Sequence, residues 1–251
     1  MKCQRHLVGD LKLEIYDETG TLVSTLPGGK RRGINRVFWP MRGPAPKMPK
    51  AADIVYGSLF GARPPEGTYT VKMIKGKDTF ESKVSLVADP RSRATAEDRR
   101  LQRETVARLH GLLGDMTYTV ERIADLRDQA RARAGRLPGG DALRRRLEAL
   151  AEAMEAQRAA LVSTKESEGG ISGDEKLREE LGTLYGNVNQ YVGRPTESQI
   201  TRMGVLASDL ESAGRKFESA ADKELAGLNG LLAKRKLEPL AKLGREEWAK
   251  R

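Results

Sequence analysis

The sequence changes character at Asp89-Pro90-Arg91. Eight of the eleven prolines lie at or before Pro90, and the segments between them alternate apolar and polar residues with the period of a strand. Beyond this point come long stretches of charged, helix-forming residues with apolar positions at steps of three or four. The change predicts an α+β protein of two domains, a β domain over 1–90 and a helical domain over 91–251.

Short alternating segments in the first domain predict antiparallel strands. Leu11, Leu13 and Ile15 alternate with polar residues, and a turn over 17–20 precedes a second predicted strand. Strands are predicted over 11–16, 21–26, 33–39, 54–60, 68–74 and 79–87, with an irregular loop over 42–53. Strands at this spacing are typical of an antiparallel β-sandwich, and Trp39 is the expected centre of its core.

The second domain shows the helical period in four segments. Helices are predicted over 95–135, 141–164, 173–192 and 196–235, followed by a basic tail that contains Trp248. Each helix begins with a capping residue or pair: Thr95 with Asp98, Asp141, Ser172 with Glu175, and Thr196 with Gln199. The short loops and wide apolar stripes favour an antiparallel four-helix bundle, and a dimeric coiled coil is the competing arrangement.

Charge and cysteine content narrow the classes of partner. The net charge is +10, but the helical domain is nearly balanced and no dense basic stripe with interleaved aromatics is present, so nucleic-acid binding is disfavoured. The single cysteine, Cys3, excludes an intrachain disulfide and a cysteine-rich zinc site. No segment has the apolar length needed to span a bilayer, and residues 1–6 are too polar for a signal peptide.

No constellation in the sequence predicts catalysis. The two histidines, His6 and His110, have no partner at metal-ligand spacing, and the segment 28–30 lacks the spacing of a phosphate-binding loop. Carboxylates are common, but those near 174–180 lie at a predicted helix start, where negative charge is favoured without catalysis. We therefore predict no catalytic, metal-binding or cofactor-binding residues.

One polar segment is explained neither by charge pairing nor by amphipathicity. Tyr185, Asn187, Asn189 and Tyr191 lie close together near a predicted helix end, where they could line a polar site. The favoured interpretation is instead that the asparagines are buried and bond across the bundle, since buried polar groups need partners. The candidate interaction residues are Tyr185, Asn187, Asn189, Tyr191, Arg194 and Trp248.

Several motifs resemble those of known proteins. The strands over 11–26, Gly33-Ile34-Asn35 with Trp39, and Gly67-Thr68-Tyr69-Thr70-Val71 resemble the immunoglobulin-like sandwich of the flagellar hook-capping type. The continuation into the helices, with Leu184-Tyr185-Gly186-Asn187-Val188-Asn189 and Gly193-Arg194-Pro195-Thr196, resembles the C-terminal region of bacterial exported proteins with sortilin-like or BNR-repeat β-propellers. These proteins are often labelled glycosyl hydrolases.

The resemblance implies an accessory role. In that family a propeller precedes this region and would contain any hydrolytic site, and no catalytic residue of the family has a matching position here. It implies an exported protein, periplasmic or at the cell surface, that packs against, spaces or displays a propeller in cis or in trans, with a glycan or cell-surface component as a further possible partner. The alternative is a carbohydrate-binding module that uses Tyr56, Phe60 or Trp39, and a glycoside hydrolase is the third hypothesis.

Overall fold

The computed structural model describes residues 11–29, 33–165 and 174–251. These residues form a four-stranded antiparallel sheet and a set of helices, in agreement with the α+β class. The strands are β1 (Leu11–Tyr16), β2 (Leu22–Pro27), β3 (Gly67–Lys75) and β4 (Asp78–Leu86). The strand order is β2-β1-β3-β4. The turn between β1 and β2 closes because the backbone N–H groups of Thr19 and Thr21 donate to Asp17.

The sheet has one apolar and one polar face, as the alternation predicts, because residues paired directly across neighbouring strands share a face. The apolar face carries Leu13, Ile15, Leu26, Tyr69, Val71, Met73, Phe80 and Val84. Ile15 and Tyr69 are its buried centre. The polar face is crossed by ion pairs such as Lys72 with Glu81, at 2.9 Å.

Two predicted strands are wrong. Residues 33–39 have no strand structure, and the segment predicted as a strand over 54–60 contains a short 3-10 helix, Tyr56–Leu59. Trp39 is only partly buried and packs edge-on against Tyr69, with ring centroids 5.4 Å apart, so it is not the centre of the core. The physical reason lies in 42–63, where three prolines lack backbone N–H groups and several carbonyls accept hydrogen bonds from helix side chains instead of from a strand.

The helices are α1 (Ala96–Ala134), α2 (Ala142–Ala159), α3 (Leu177–Gln190), α4 (Glu197–Lys234) and the short α5 (Arg245–Ala249). The predicted capping boxes at Thr95 and Thr196 are present, and Asp141 caps α2 through the N–H of Leu143, at 2.7 Å. The predicted cap Ser172 lies outside the described residues. Instead α3 begins at Leu177, and Glu179 accepts from the N–H of Lys176.

One continuous apolar cluster unites the helices. Helix α1 packs against α2, α3 and α4, and α4 also contacts α2 and α3. Leucines and methionines of the predicted stripes fill the centre, with Leu109, Leu113, Met116, Leu147, Met154, Leu206 and Leu228 fully buried. Met48, Ala51 and Ala62 pack against the same cluster, so part of the predicted loop belongs to the helical core. Among the described residues, no helix is both long and apolar enough to cross a membrane.

A candidate interaction surface on helix α3

The segment 42–63 lies directly on α3, and small residues permit this approach. A Cβ atom added to Gly57 would lie 2.6 Å from the Cα atom of Gly186, which leaves no room for a side chain at either position. One helical turn earlier, a Cβ atom on Gly182 would lie 2.8 Å from Val55. The two glycines of α3 therefore form a flat strip on which the segment rests.

A buried ion pair fixes the start of this contact. Arg178 and Glu179 are both almost fully buried and lie 2.6 Å apart. The Arg178 guanidinium also donates to the carbonyls of Pro49 and Asp53, and Glu179 accepts from the N–H of Ser163. These bonds satisfy both charges, which is the condition for burying an ion pair at tolerable cost.

Tyr185 and Asn189 fix the other end of the contact. The Tyr185 hydroxyl donates to the Phe60 carbonyl at 2.8 Å, and the Asn189 amide donates to the carbonyls of Phe60 and Gly61, each at 3.2 Å. Arg42 donates to the Asn189 side-chain oxygen at 3.2 Å. Burial raises the pKa of Tyr185 to about 12, because the phenolate would lose its hydration.

The six candidate residues therefore divide into two groups. Tyr185, Asn189 and Trp248 are buried, at 0%, 2% and 7% exposure. The two α3 residues bond to the 42–63 segment. The Trp248 indole donates to Glu121 and packs at a tilt of 58° against Tyr118, with ring centroids 5.4 Å apart. These three side chains are occupied by contacts within the chain.

The remaining candidates are exposed but do not form one cluster. Asn187 lies on the outer side of α3, and Tyr191 is 63% exposed just beyond the end of this helix. Arg194 reaches back to Asp98 at the start of α1, with a separation of 3.5 Å. Sequence proximity placed these residues together, whereas the helical period separates the exposed Asn187 from the buried Asn189.

One group of exposed apolar side chains lies in the segment that contacts α3, and we define Ile54, Tyr56, Leu59 and Phe60 as the apolar ridge. Their exposed fractions are 59%, 73%, 56% and 50%. A groove of about 260 Å³ runs between the first part of this ridge, Ile54 and Tyr56, and α3, and it is lined in part by Glu175, Thr183, Asn187 and Gln190. The sequence predicted Tyr56 and Phe60 as exposed candidates, but it did not predict the exposure of Ile54 and Leu59. In the predicted strand, these two side chains would have lain on opposite faces of the sheet.

The backbone that carries the ridge is fixed by contacts with α3. It is held by Gly57 against Gly186, by Arg178 at Asp53, and by Tyr185 and Asn189 at Phe60. A backbone that is already ordered loses little further freedom when its side chains bind a partner. Clustered exposed apolar side chains are typical of an interaction site.

The ionisable groups of the described residues do not form a metal site. Within the described ranges, no group of three or more histidine, cysteine, aspartate or glutamate side chains could hold a metal ion. His110 lies beside α3, with its ring centroid 6.2 Å from that of Tyr185. The Arg178–Glu179 pair is engaged in holding the 42–63 segment.

Comparisons of this chain with protein-family models, with curated proteins and with solved structures found no significant match.

Proposed function

We propose that this chain is a non-catalytic interaction region that docks onto a β-propeller, in cis or in trans, through the apolar ridge. The proposal includes the finer fold assignment, in which the sheet belongs to an immunoglobulin-like sandwich and the long helices to an antiparallel four-helix bundle. It also includes export to the periplasm or cell surface, which follows from the resemblance to sortilin-like and BNR-repeat proteins.

The observation that carries the proposal is the exposure of four large apolar side chains within seven residues, on a backbone fixed to α3. A few central residues contribute most of the binding free energy of a protein interface, and tyrosine is over-represented among them. Tyr56 is the most exposed member of the ridge and is the expected anchor. The resemblance supplies the partner, since in that family a propeller precedes this region.

Binding to a separately expressed sortilin-like propeller domain tests the proposal. We expect the intact chain to bind in isothermal titration calorimetry, and the double substitution Tyr56→Ala with Leu59→Ala to weaken binding at least about tenfold. Val205→Ala is the control, because Val205 is an exposed apolar residue that belongs to α4 and not to the 42–63 segment. Circular dichroism should show that all variants remain folded.

Two results would overturn the proposal. One is the absence of binding to any propeller domain by the folded chain. The other is equal binding by the chain with and without the ridge side chains. Turnover of glycoside substrates by the purified chain would contradict the non-catalytic part separately.

A second candidate function, carbohydrate binding, has one specific observation in its favour. Tyr56 stands beside a groove lined by the amides Asn187 and Gln190 and the hydroxyl of Thr183. An exposed aromatic ring with nearby amides and hydroxyls offers both stacking and hydrogen bonding. Glycan titration of the chain and of Tyr56→Ala separates the two candidates, because only sugar binding predicts a saturable response to free oligosaccharide that the substitution abolishes.

A further inference from the structure

Strand β4 forms one edge of the sheet described for residues 11–29, 33–165 and 174–251. It is nine residues long, and all but its last residue are exposed. A long exposed edge strand presents backbone donors and acceptors that can pair with another strand. Edge strands that stay unpaired are usually short, bulged, interrupted by proline or lined with charged side chains, lysine above all. The described pairing of β4 with β3 has no bulge, and β4 contains no proline.

The side chains of β4 alternate in a definite way. Phe80, Ser82 and Val84 pair with Met73, Val71 and Tyr69 of β3 and so lie on the apolar face. Glu81 and Lys83 lie on the polar face, opposite Lys72 and Thr70. The strand is therefore amphipathic, and the two charges of its polar face, Glu81 and Lys83, are placed symmetrically about Ser82, whereas its third charge, Asp78, lies at the strand start on the same face as Phe80.

We propose that two copies of this chain associate by antiparallel pairing of their β4 edges, with Ser82 opposite Ser82 of the second copy. In this register Glu81 of each copy lies opposite Lys83 of the other. Phe80 of each copy lies opposite Val84 of the other. Opposite charges and aromatic–β-branched pairs are both favourable when they lie directly across two strands.

The charges also exclude the neighbouring registers. A slip of one residue would place the apolar face of one copy beside the polar face of the other. A slip of two residues keeps the apolar faces together, but it sets Glu81 against Glu81 or Lys83 against Lys83. Like charges directly opposite each other are destabilising. Among these registers, only the one centred on Ser82 pairs opposite charges, and it also aligns all nine residues of β4.

The dimer would join the two sheets into one, with the apolar faces on the same side. Each Phe80 and Val84, exposed in the single chain, would be partly covered by its cross-strand neighbour. This association uses the sheet edge, whereas the proposed docking to a propeller uses the ridge on α3, so neither inference depends on the other.

Paired charge reversals in the full-length chain test the dimer. We expect sedimentation equilibrium to show a monomer–dimer equilibrium for the unaltered chain. Glu81→Lys and Lys83→Glu, each alone, should weaken the dimer at least about tenfold, because each creates two like-charge pairs across the interface. An equimolar mixture of the two variants should recover the dimer, since every facing pair then has opposite signs.

The mixture distinguishes the proposal from a general loss of stability. Glu81→Lys also removes the Lys72 ion pair, but Lys83 faces only Thr70 in β3, so Lys83→Glu is the less disruptive change. Matching thermal midpoints will show that both variants remain folded. A monomeric unaltered chain, dimers that persist in both single variants, or a mixture that stays monomeric would each overturn the proposal.

Discussion

Gly57 and Gly186 meet backbone against backbone, so that a Cβ atom on Gly186 would lie 2.7 Å from the Cα atom of Gly57. Neither glycine has a positive φ angle. Glycine is therefore required at both positions because the two backbones leave no space for a Cβ atom, and not because either residue has a left-handed conformation. This contact allows the 42–63 segment to lie flat on α3 and to hold the apolar ridge outward.

Gly186→Ala should destabilise the protein even though alanine favours a helix. The added methyl group would force the 42–63 segment away from α3, and overpacking of this kind costs about 1–3 kcal/mol. Gly204→Ala on α4 is the control, because a Cβ atom there meets nothing within 4 Å. We expect it to stabilise the protein by up to about 1 kcal/mol. Urea unfolding of both variants measures the difference, and equal stabilisation would show that the glycine contact is not tight.

Tyr185→Phe should lower the unfolding free energy by about 1 kcal/mol near neutral pH, since the Phe60 carbonyl loses its closer donor. The substitution should also change the response to alkali. The pKa of Tyr185 is raised from 10.0 to about 12 in the folded chain, which means that the folded chain favours the neutral phenol. The contribution of Tyr185 to the free energy of unfolding is therefore complete below pH 10.0 and is lost as the pH rises toward 12. Parallel unfolding curves across this range should show a shallower decline for Tyr185→Phe, and identical slopes would contradict a buried phenol.

Glu155 should contribute to stability at neutral pH and lose that contribution in acid. Its carboxylate lies 2.7 Å from Arg158 of the same helix and also bonds to Arg127 of α1. These contacts lower its pKa from 4.5 to about 2, so its contribution is complete above pH 4.5 and is lost as the pH falls through 2. Glu155→Gln should cost about 1 kcal/mol at neutral pH, a value reduced by partial exposure.

The matched measurement for Glu155 is acid unfolding of the substituted and unaltered chains. The free-energy difference between them should shrink as the pH falls below 4.5 and approach its minimum near 2. A difference that stays constant over this range would mean that the link between α1 and α2 does not depend on the carboxylate charge.

Trp248→Ala should cost about 3–5 kcal/mol, because it removes a buried indole that packs between the C-terminal segment and α1. Tyr191→Ala, at an exposed position, should change stability by less than about 0.5 kcal/mol. Thermal and urea unfolding of the two variants compare them directly. Equal effects would contradict the division of the candidate residues into buried and exposed groups.

The helices were predictable to within a few residues at most of their ends. Their apolar stripes repeat with the helical period, and Thr95, Asp141 and Thr196 cap them through hydrogen bonds that depend on neighbours two or three residues away. The strands that form were also predictable, because they alternate and because short turns join β1 to β2 and β3 to β4. Local signals were sufficient wherever the partner of a residue lies nearby in the sequence.

The segment 33–60 was not predictable in this way. Val37 and Trp39 alternate as they would in a strand, but the backbone of the following segment bonds to Arg178, Tyr185 and Asn189, more than 120 residues away in the sequence. No local pattern encodes such a distant partner. The polar character of Tyr185 and Asn189 was visible, and the need of buried amides for partners was anticipated, but the partners lie in this segment rather than across the helices.

The sequence alone determined which residues form helices and strands, because periodicity and capping act over a few neighbouring residues. The tertiary structure decided which side chains remain available to a partner. Contacts within the chain bury the side chains of Tyr185, Asn189 and Trp248. Four apolar side chains remain exposed: Ile54, Tyr56, Leu59 and Phe60. The exposure of a side chain depends on how segments distant in sequence pack together. Here it is determined by the packing of the 42–63 segment against α3.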